Sequence, residues 1–297
     1  MNRTTLAAGY SSPSYAETLD HVGVPVNMAG TMFLRRTVPG SGTDLVAPYP
    51  LLRCLDWDDL GCALDDEHSD LTVTGVTDPF SDPGPDVLDR VFRDLVRPWK
   101  LHHVVRVYDT SGPASHHRRN LRKVAVDVER ASAPQDIADD FVRLYDVLRE
   151  RHSVTGAADF SDRSLVEQLA VPGASAWVAR VDGVGVGAVV AYTDGDVAWY
   201  HLGAASTVGY ERRAMFGLFD AMIADLRADG VQLLDLGAGA GADGASTGLE
   251  RFKRGWADEQ LPTHLVGRIL DRTGTQAAIE HSGGPFPWFP AYRSSAG

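Results

Sequence analysis

The pattern of apolar and polar positions predicts a chain that mixes helices with short strands. Apolar residues three or four positions apart predict one helix beginning near Asp86 and stopped by Pro98, a second beginning at 132–136, and a third over 210–228. Short apolar runs bounded by turn residues predict strands at 31–36, 71–76, 103–108, 174–181, 185–192, 197–202, 231–236 and 264–270.

The second half of the chain shows the more regular order. Asp-Gly pairs at 182–183 and 194–195 join three of its strands, which indicates an antiparallel meander. The predicted order there is helix, three antiparallel strands, helix, strand, helix, strand. We therefore predict an α+β fold of two domains, 1–130 and 131–297, with the C-terminal tail packing back on the first domain.

Composition and charge narrow the classes of function. The sequence is 44% hydrophobic and 23% charged, and its formal net charge of -12 argues against a broad electrostatic grip on nucleic acid. It contains no apolar run of the ~18 residues that a membrane span needs, and its first residues lack the apolar core of a secretory signal. We therefore predict a cytoplasmic protein. Cys54 and Cys62 fit neither a disulfide framework nor a zinc site.

A lysine placed after a glycine-rich loop is the most informative local feature. Residues 237–248 include five glycines and follow the predicted strand 231–236. The segment 249–256 then places Lys253 between Phe252 and Arg254. A lysine in this setting is a candidate for stabilising an anion.

Several motifs follow one another in a recognisable order. Trp199-Tyr200-His201-Leu202-Gly203-Ala204 is followed by Gly209-Tyr210, then by Leu234-Asp235-Leu236-Gly237 and by Phe252-Lys253-Arg254-Gly255-Trp256. This order is that of the GNAT acyltransferase fold, and the motifs resemble the second domain of the Fem-type transferases, which are double-GNAT proteins. The basic run 117–123 is similar to the segment that joins the two domains of that family. The resemblance covers roughly residues 100–293, whereas the first 100 residues resemble the family only by length and position.

The resemblance implies a chemistry and a set of site residues. Several members of the family pass an amino acid from aminoacyl-tRNA to an amine acceptor. For this chain we predict no cofactor and no metal. The donor ester is already activated, so catalysis needs orientation of the two substrates and a cation at the developing oxyanion. Lys253 is the candidate cation, Phe252 would pack on the terminal adenosine or sugar, and Asp235 is a candidate base.

Further residues are candidates for binding the substrates. Tyr200 and His201 border the acyl site, and only one of them can face it because neighbours on a strand point to opposite faces. Arg254 is a candidate for phosphate contact. The candidates for contacts with tRNA phosphate are Arg118, Arg119, Arg122 and Lys123, and the aromatic candidates for the acceptor side are Tyr49 and Trp57, which could equally be core residues. We predict a small soluble amine as acceptor and a monomeric protein.

Two other functions stay open on the sequence alone. A GNAT enzyme that uses acyl-CoA would hold the pyrophosphate at a glycine-rich turn near 205–212, but only Gly209 is present there and Glu211 would repel the phosphates. A peptidoglycan-precursor aminoacyltransferase is the second alternative. The patterns at 239–244 and 244–248 match nucleotide and serine-hydrolase motifs, and the pairs His102-His103 and His116-His117 suggest a metal, but none has the context that its chemistry requires.

Overall fold

The computed structural model describes residues 8–109, 112–152, 154–239 and 247–294. Their contacts divide the chain into two compact units. Unit 1 contains residues 8–9, Leu101–Thr155 and Asp159–Leu261, and unit 2 contains Tyr10–Lys100, Gly156–Ala158 and the chain from Pro262. The domain boundary predicted near residue 130 falls inside unit 1.

Ten helices and eleven strands are formed by the described residues. The helices are α1 (Pro13–Glu17), α2 (Trp57–Asp66), α3 (Pro85–Phe92), α4 (Ser115–Leu121), α5 (Ala138–His152), α6 (Asp162–Gln168), α7 (Thr207–Glu211), α8 (Ala214–Ala228), α9 (Thr247–Arg254) and α10 (Arg272–Ser282). The strands are β1 (Val24–Met28), β2 (Thr31–Val38), β3 (Gly42–Val46), β4 (Thr72–Val76), β5 (Leu95–Arg106), β6 (Asp127–Arg130), β7 (Ala174–Val181), β8 (Val184–Asp194), β9 (Val197–Ala205), β10 (Leu233–Asp235) and β11 (Glu259–Ile269). Each of the eight predicted strands overlaps an observed one.

The strands of unit 1 run in the order β5-β10-β9-β8-β7-β6. Strands β7, β8 and β9 pair antiparallel, which confirms the predicted meander. Strand β10 lies between β9, to which it is parallel, and β5, to which it is antiparallel. Apolar side chains of this sheet and of α8 form the core, among them Trp177, Val189, Leu218, Phe219, Met222 and Leu234.

The strands of unit 2 run in the order β1-β2-β3-β4-β11 and are antiparallel except for β3 with β4. Helices α2 and α3 cover their core, in which Leu60, Leu64, Leu88 and Phe92 are buried. The C-terminal tail is held by the buried carboxylate of Asp44. It accepts hydrogen bonds from Arg36 at 2.9 Å, from the Tyr292 hydroxyl at 3.0 Å and from Arg293 at 2.9 Å.

The helix predicted to run from Asp86 to Pro98 is shorter than expected. Helix α3 ends at Phe92, and Arg93 has a positive φ of 61°. The carboxylate of Asp94 accepts hydrogen bonds from the Ile269 backbone at 2.8 Å and from Arg272 at 2.9 Å. The chain then continues as β5 from Leu95, so the apolar spacing at 95–96 belongs to a strand and the prediction of a helix there was wrong.

The long helix predicted over 210–228 is interrupted. Helix α7 ends at Glu211, Arg213 is left-handed with a φ of 62°, and α8 begins at Ala214. The predicted buried stripe of α8 is confirmed, with Leu218, Phe219, Met222 and Leu226 in the core. The α+β class, a mainly antiparallel sheet flanked by helices, is confirmed as well.

Candidate active site

Strands β9 and β10 separate shortly after they pair. Their register begins at Leu233 opposite Val197 and ends at Asp235 opposite Trp199. Beyond this point β9 continues beside β8 to Ala205, whereas the chain after Asp235 follows β5. The Leu236 amide donates to the His103 carbonyl at 2.8 Å, and the His103 amide donates to the Gly237 carbonyl at 3.2 Å. A gap between strands therefore opens at the end of β10.

The register assigns the side chains beside this gap to the two faces of the sheet. Tyr200 lies on the face covered by α8, because its ring centroid is 4.9 Å from that of Phe219. Its neighbour His201 lies on the opposite face, where its ring stacks on Tyr192 at 4.5 Å and its Nε2 is 2.8 Å from Oε1 of Gln168. Burial lowers the pKa of His201 to about 3, so its imidazole is neutral at ordinary pH.

Lys253 reaches the gap from α9 on the Tyr200 face. Its side chain is buried, its Nζ donates to the Ala238 carbonyl at 2.8 Å, and Nζ lies 5.7 Å from the centre of the Tyr200 ring. Gly237 leaves room for the ammonium group, since a Cβ there would lie 3.1 Å from Nζ. The lysine is thus held beside the point where the strands part.

The residues around Lys253 explain why its motif contains two aromatic residues and a glycine. The Phe252 ring packs against four other rings at centroid distances of 4.8 to 6.2 Å: those of His117, Phe216, Phe219 and Trp256. The Phe252 carbonyl lies 2.9 Å from Nε2 of His117. At Gly255 a Cβ would lie 1.9 Å from Cε1 of His117, so only glycine fits. Phe252, Gly255 and Trp256 hold α9 in place, and the predicted contact of Phe252 with the donor stays a prediction.

Asp235, the predicted base, is paired with a histidine. Its Oδ2 lies 2.8 Å from Nδ1 of His102 on β5, and its Oδ1 accepts a hydrogen bond from the Gly237 amide at 2.6 Å. Asp235 is 2% exposed and His102 is 8% exposed. Both lie on the His201 face of the sheet, because Asp235 pairs with Val104 of β5 and with Trp199 of β9.

The adjacent His103 points to the other face. It is buried, its Nδ1 is 3.4 Å from Nε2 of Gln260, and its own Nε2 has no hydrogen-bond partner among the described residues. Burial lowers the pKa of His103, and the nearby Arg254 and Lys253 lower it further. His102 and His103 therefore lie on opposite faces of the sheet and contact different residues. Within the described ranges no cluster of three His, Cys, Asp or Glu side chains could hold a metal ion.

The basic run predicted to contact tRNA phosphate forms α4 and the turn after it. A cavity of about 400 Å³ is lined there by His116, Arg119, Asn120, Arg122 and Lys123. The side chains of Arg119, Arg122 and Lys123 are exposed. Arg118 is directed elsewhere, because its guanidinium donates to the Pro113 carbonyl at 2.6 Å. The structure thus brings three of the four predicted cations to one cavity.

The three remaining predicted residues lie on α9 and in unit 2. Arg254 is exposed on α9 and pairs with Glu250 one helical turn away. In unit 2, Trp57 is a core residue, since its indole nitrogen donates to the Ser81 carbonyl at 2.9 Å and its ring lies edge-on to Phe92. Tyr49 is 40% exposed. Trp57 therefore packs in the core, the alternative that the sequence left open, and its contact with the acceptor stays a prediction.

The place where an acyl-CoA enzyme would hold pyrophosphate is occupied by α7. The Ser206 hydroxyl accepts a hydrogen bond from the Gly209 amide at 3.2 Å. Gly209 packs so closely on β8 that a Cβ would lie 2.1 Å from the Val186 carbonyl oxygen. Glu211 is exposed at the end of this helix. The single glycine of the turn is thus required for packing.

Sequence reasoning missed two histidines of this region. His102 was considered only as a member of a His-His pair and His117 also as part of the basic run, yet each contacts a separate motif, Asp235 and Phe252 respectively. Strand alternation separates His102 from His103, but no pattern in the sequence shows which strand lies beside Asp235. The segments 239–244 and 244–248, including Ser246, lie largely outside the described residues.

Comparisons with known proteins agree with this geometry. Residues 114–254 match the family model described as an acetyltransferase (GNAT) domain. The crystal structure of FemX is similar with a TM-score of 0.66 and 13% identity, covering 90% of this chain and 93% of that one. A search of curated proteins finds no match.

Two further solved structures share the fold. The C-terminal domain of a protein described as a lysylphosphatidylglycerol synthetase from Agrobacterium fabrum has a TM-score of 0.60 and 15% identity, covering 88% of each chain. L-PGS from Bacillus licheniformis has a TM-score of 0.53 and 13% identity, covering 88% of this chain and 92% of that one.

Residues 114–254 thus match a GNAT domain, and the chain shares the fold of FemX, as the motifs predicted. None of the helices in the described part of the chain combines the length and apolar character needed to cross a membrane.

Proposed function

We propose that the protein transfers an amino acid from aminoacyl-tRNA to the free amine of a small peptide or natural product, forming an amide. The observation that carries this proposal is the position of Lys253. Its ammonium is buried beside the gap between β9 and β10, where it donates to the Ala238 carbonyl at 2.8 Å. A fixed cation in a site of low dielectric stabilises the oxyanion of an ester undergoing attack by an amine.

Contacts at α7 and α4 favour aminoacyl-tRNA over acyl-CoA as the donor. At α7 the Gly209 amide already bonds to the Ser206 hydroxyl, and Glu211 stands at the end of the helix, which disfavours a pyrophosphate there. At α4, the cavity lined by Arg119, Arg122 and Lys123 supplies cations for backbone phosphates. A local basic cavity allows a protein of net charge -12 to hold the acceptor end of a tRNA. Tyr200 would then border the acyl group, whose ester carbonyl would face Lys253.

The acceptor is the least constrained part of the proposal. FemX and the lysylphosphatidylglycerol synthetases share the fold, and the second name refers to a lipid product. A peptidoglycan precursor or a lipid is therefore the alternative acceptor, and acyl-CoA is the alternative donor suggested by the acetyltransferase name of the family model. A cytoplasmic monomer with Tyr49 on the acceptor side remains our prediction.

A donor panel tests the proposal directly. The purified protein is offered radiolabelled aminoacyl-tRNAs and acyl-CoAs with pooled amine acceptors, and formation of labelled amide is measured. We expect transfer from aminoacyl-tRNA and none from acyl-CoA. Transfer from acyl-CoA alone would refute the proposed donor.

The contribution of the basic cavity is measured by the dependence of tRNA affinity on salt. Arg122→Gln and Lys123→Gln should each lower the slope of log affinity against log salt by about 0.7 to 0.9 if each cation contacts one phosphate. The matched control is Arg163→Gln, an exposed arginine on α6 that pairs with Glu167. Equal slopes for all four proteins would place the tRNA elsewhere.

A further inference from the structure

The pair formed by His102 and Asp235 has a defined arrangement of protons. The buried carboxylate of Asp235 uses Oδ1 for the Gly237 amide and Oδ2 for Nδ1 of His102. A carboxylate only accepts hydrogen bonds, so Nδ1 of the histidine carries the proton. In the neutral imidazole, Nε2 is then a free acceptor. Among the described residues this Nε2 has no hydrogen-bond partner, and it is not sealed from solvent.

The pair and Lys253 lie at opposite ends of one short segment. Asp235 bonds to the amide of Gly237, and Lys253 bonds to the carbonyl of the next residue, Ala238. Three residues of extended chain span at most about 11 Å. Lys253 approaches this segment from the Tyr200 face of the sheet and His102 from the His201 face. An ester carbonyl at Lys253 and an amine at His102 could therefore meet where β9 and β10 part.

We propose that His102 is the base of the transfer reaction and that Asp235 is the residue that positions it. This inference rests on the proposed aminoacyl transfer. Nε2 of His102 takes one proton from the attacking ammonium and passes it to water. The neutral amine forms a C–N bond to the ester carbonyl, and the oxyanion develops beside Lys253. As the C–O bond to the ribose breaks, the second proton on the new nitrogen passes to the ribose oxygen.

The other groups near the gap are less suited to this role. Both oxygens of Asp235 already accept hydrogen bonds and its side chain is 2% exposed, so an attacking ammonium ion has little access to it. His103 is 1% exposed, and Nε2 of His201 is occupied by Gln168. Nε2 of His117 is 2.9 Å from the Phe252 carbonyl. In His102 one ring nitrogen is hydrogen-bonded to a carboxylate and the other is free to accept a proton, which is the geometry of a general base.

The test compares His102→Gln, His102→Ala and Asp235→Asn with the wild-type protein. Loss of labelled donor is followed with and without amine, because hydrolysis by water needs the same proton acceptor. We expect His102→Gln to lower kcat by about 100-fold or more with KM changed less than about 3-fold. Imidazole should restore part of the activity of His102→Ala. Asp235→Asn should lower kcat at least about 10-fold, because it no longer fixes the tautomer.

A matched control and separate readouts identify each failure. His264→Gln removes a histidine from a similar pair with Asp82 in unit 2, and it should leave kcat within about 2-fold. Thermal unfolding and circular dichroism establish that each variant is folded. A folded His102→Gln with wild-type kcat, or a folded His102→Ala that imidazole does not rescue, would overturn the assignment of the base.

The inference and the proposed donor fail in different ways. If the wild type transfers from acyl-CoA alone, the donor is wrong, and the same variants then measure the base with acyl-CoA, since the amine must lose a proton with either donor. If aminoacyl-tRNA is used equally well by wild type and His102→Gln, the donor stands and the base is another group.

Discussion

The same local arrangement occurs once in each unit, with a different environment. In unit 1, Asp235 accepts from the amide two residues later and from His102. In unit 2, Asp82 accepts from the Gly84 amide at 2.8 Å, and its Oδ2 lies 2.7 Å from Nδ1 of His264. Both are an Asp-x-Gly turn with a histidine from a neighbouring segment.

The two pairs differ in what surrounds them. In unit 2 the Thr77 hydroxyl also donates a hydrogen bond to Asp82 and accepts one from the His264 backbone amide at 2.8 Å. Thr77, Asp82 and His264 are thus joined in a closed set of hydrogen bonds. In unit 1 the turn leads directly to the carbonyl that binds Lys253. A histidine-aspartate pair alone therefore does not define a site, because the groups next to it decide whether it stabilises a loop or takes part in a reaction.

Removing Lys253 should have the largest effect, because it takes away the group that distinguishes the two pairs. Lys253→Met should lower kcat for amide formation by about 100-fold or more, the effect of losing one oxyanion donor. Initial-rate kinetics measure this, and Arg251→Met, on the exposed side of the same helix, is the control. A fall of equal size in both variants would mean that α9 is disturbed as a whole.

A second difference between the units is the partner of a buried histidine. The His201 ring is hydrogen-bonded to the side-chain amide oxygen of Gln168 rather than to a carboxylate, and burial lowers the pKa of His201 to about 3. The unfolded chain therefore binds a proton at this residue below about pH 6.5, whereas the folded protein does not. The free energy of unfolding should consequently fall by about 2 kcal/mol from this residue between pH 7 and pH 5.

Denaturant unfolding at several pH values measures this dependence. His201→Gln should make it shallower, and Gln168→Glu, which gives unit 1 a carboxylate partner like that of unit 2, should also weaken it. An unchanged dependence in His201→Gln would assign the acid sensitivity to other groups.

The glycines of the two turns provide a matched pair of substitutions. Gly237 and Gly84 have φ values of 73° and 87°, so alanine at either position should cost about 1–2 kcal/mol of stability. At Gly237 the new Cβ approaches the Lys253 ammonium at 3.1 Å, whereas at Gly84 it meets no atom of the described residues within 4 Å. Gly237→Ala should therefore lower kcat about 10-fold, and Gly84→Ala should not. Chemical denaturation and initial rates separate the two effects.

Removing the hydroxyl group that bonds to the Asp82–His264 pair of unit 2 should have the smallest effect. Thr77→Val removes the hydroxyl between Asp82 and His264 and should lower the free energy of unfolding by about 1 kcal/mol. The rate of transfer should be unchanged within about 2-fold. A marked loss of rate in this folded variant would give the unit 2 pair a role in the reaction and break the contrast between the units.

Local patterns predicted most of the elements, because apolar spacing and turn residues act over a few positions. The meander β7 to β9 and the buried stripe of α8 followed from Asp-Gly turns and from residues such as Leu218 and Met222. The end of α3 could not be predicted, because it depends on contacts of Asp94 with Ile269 and Arg272, about 175 residues away in the sequence.

The sequence by itself determined the order of elements, the lysine motif after the glycine loop and the missing glycine of the pyrophosphate turn. The tertiary structure decided which face of the sheet each side chain of the gap occupies and which groups are partners. Asp235 and His102 are 133 residues apart in the chain, and His117 and Phe252 are 135 apart. Such contacts depend on the register between distant strands and helices, which local spacing does not encode.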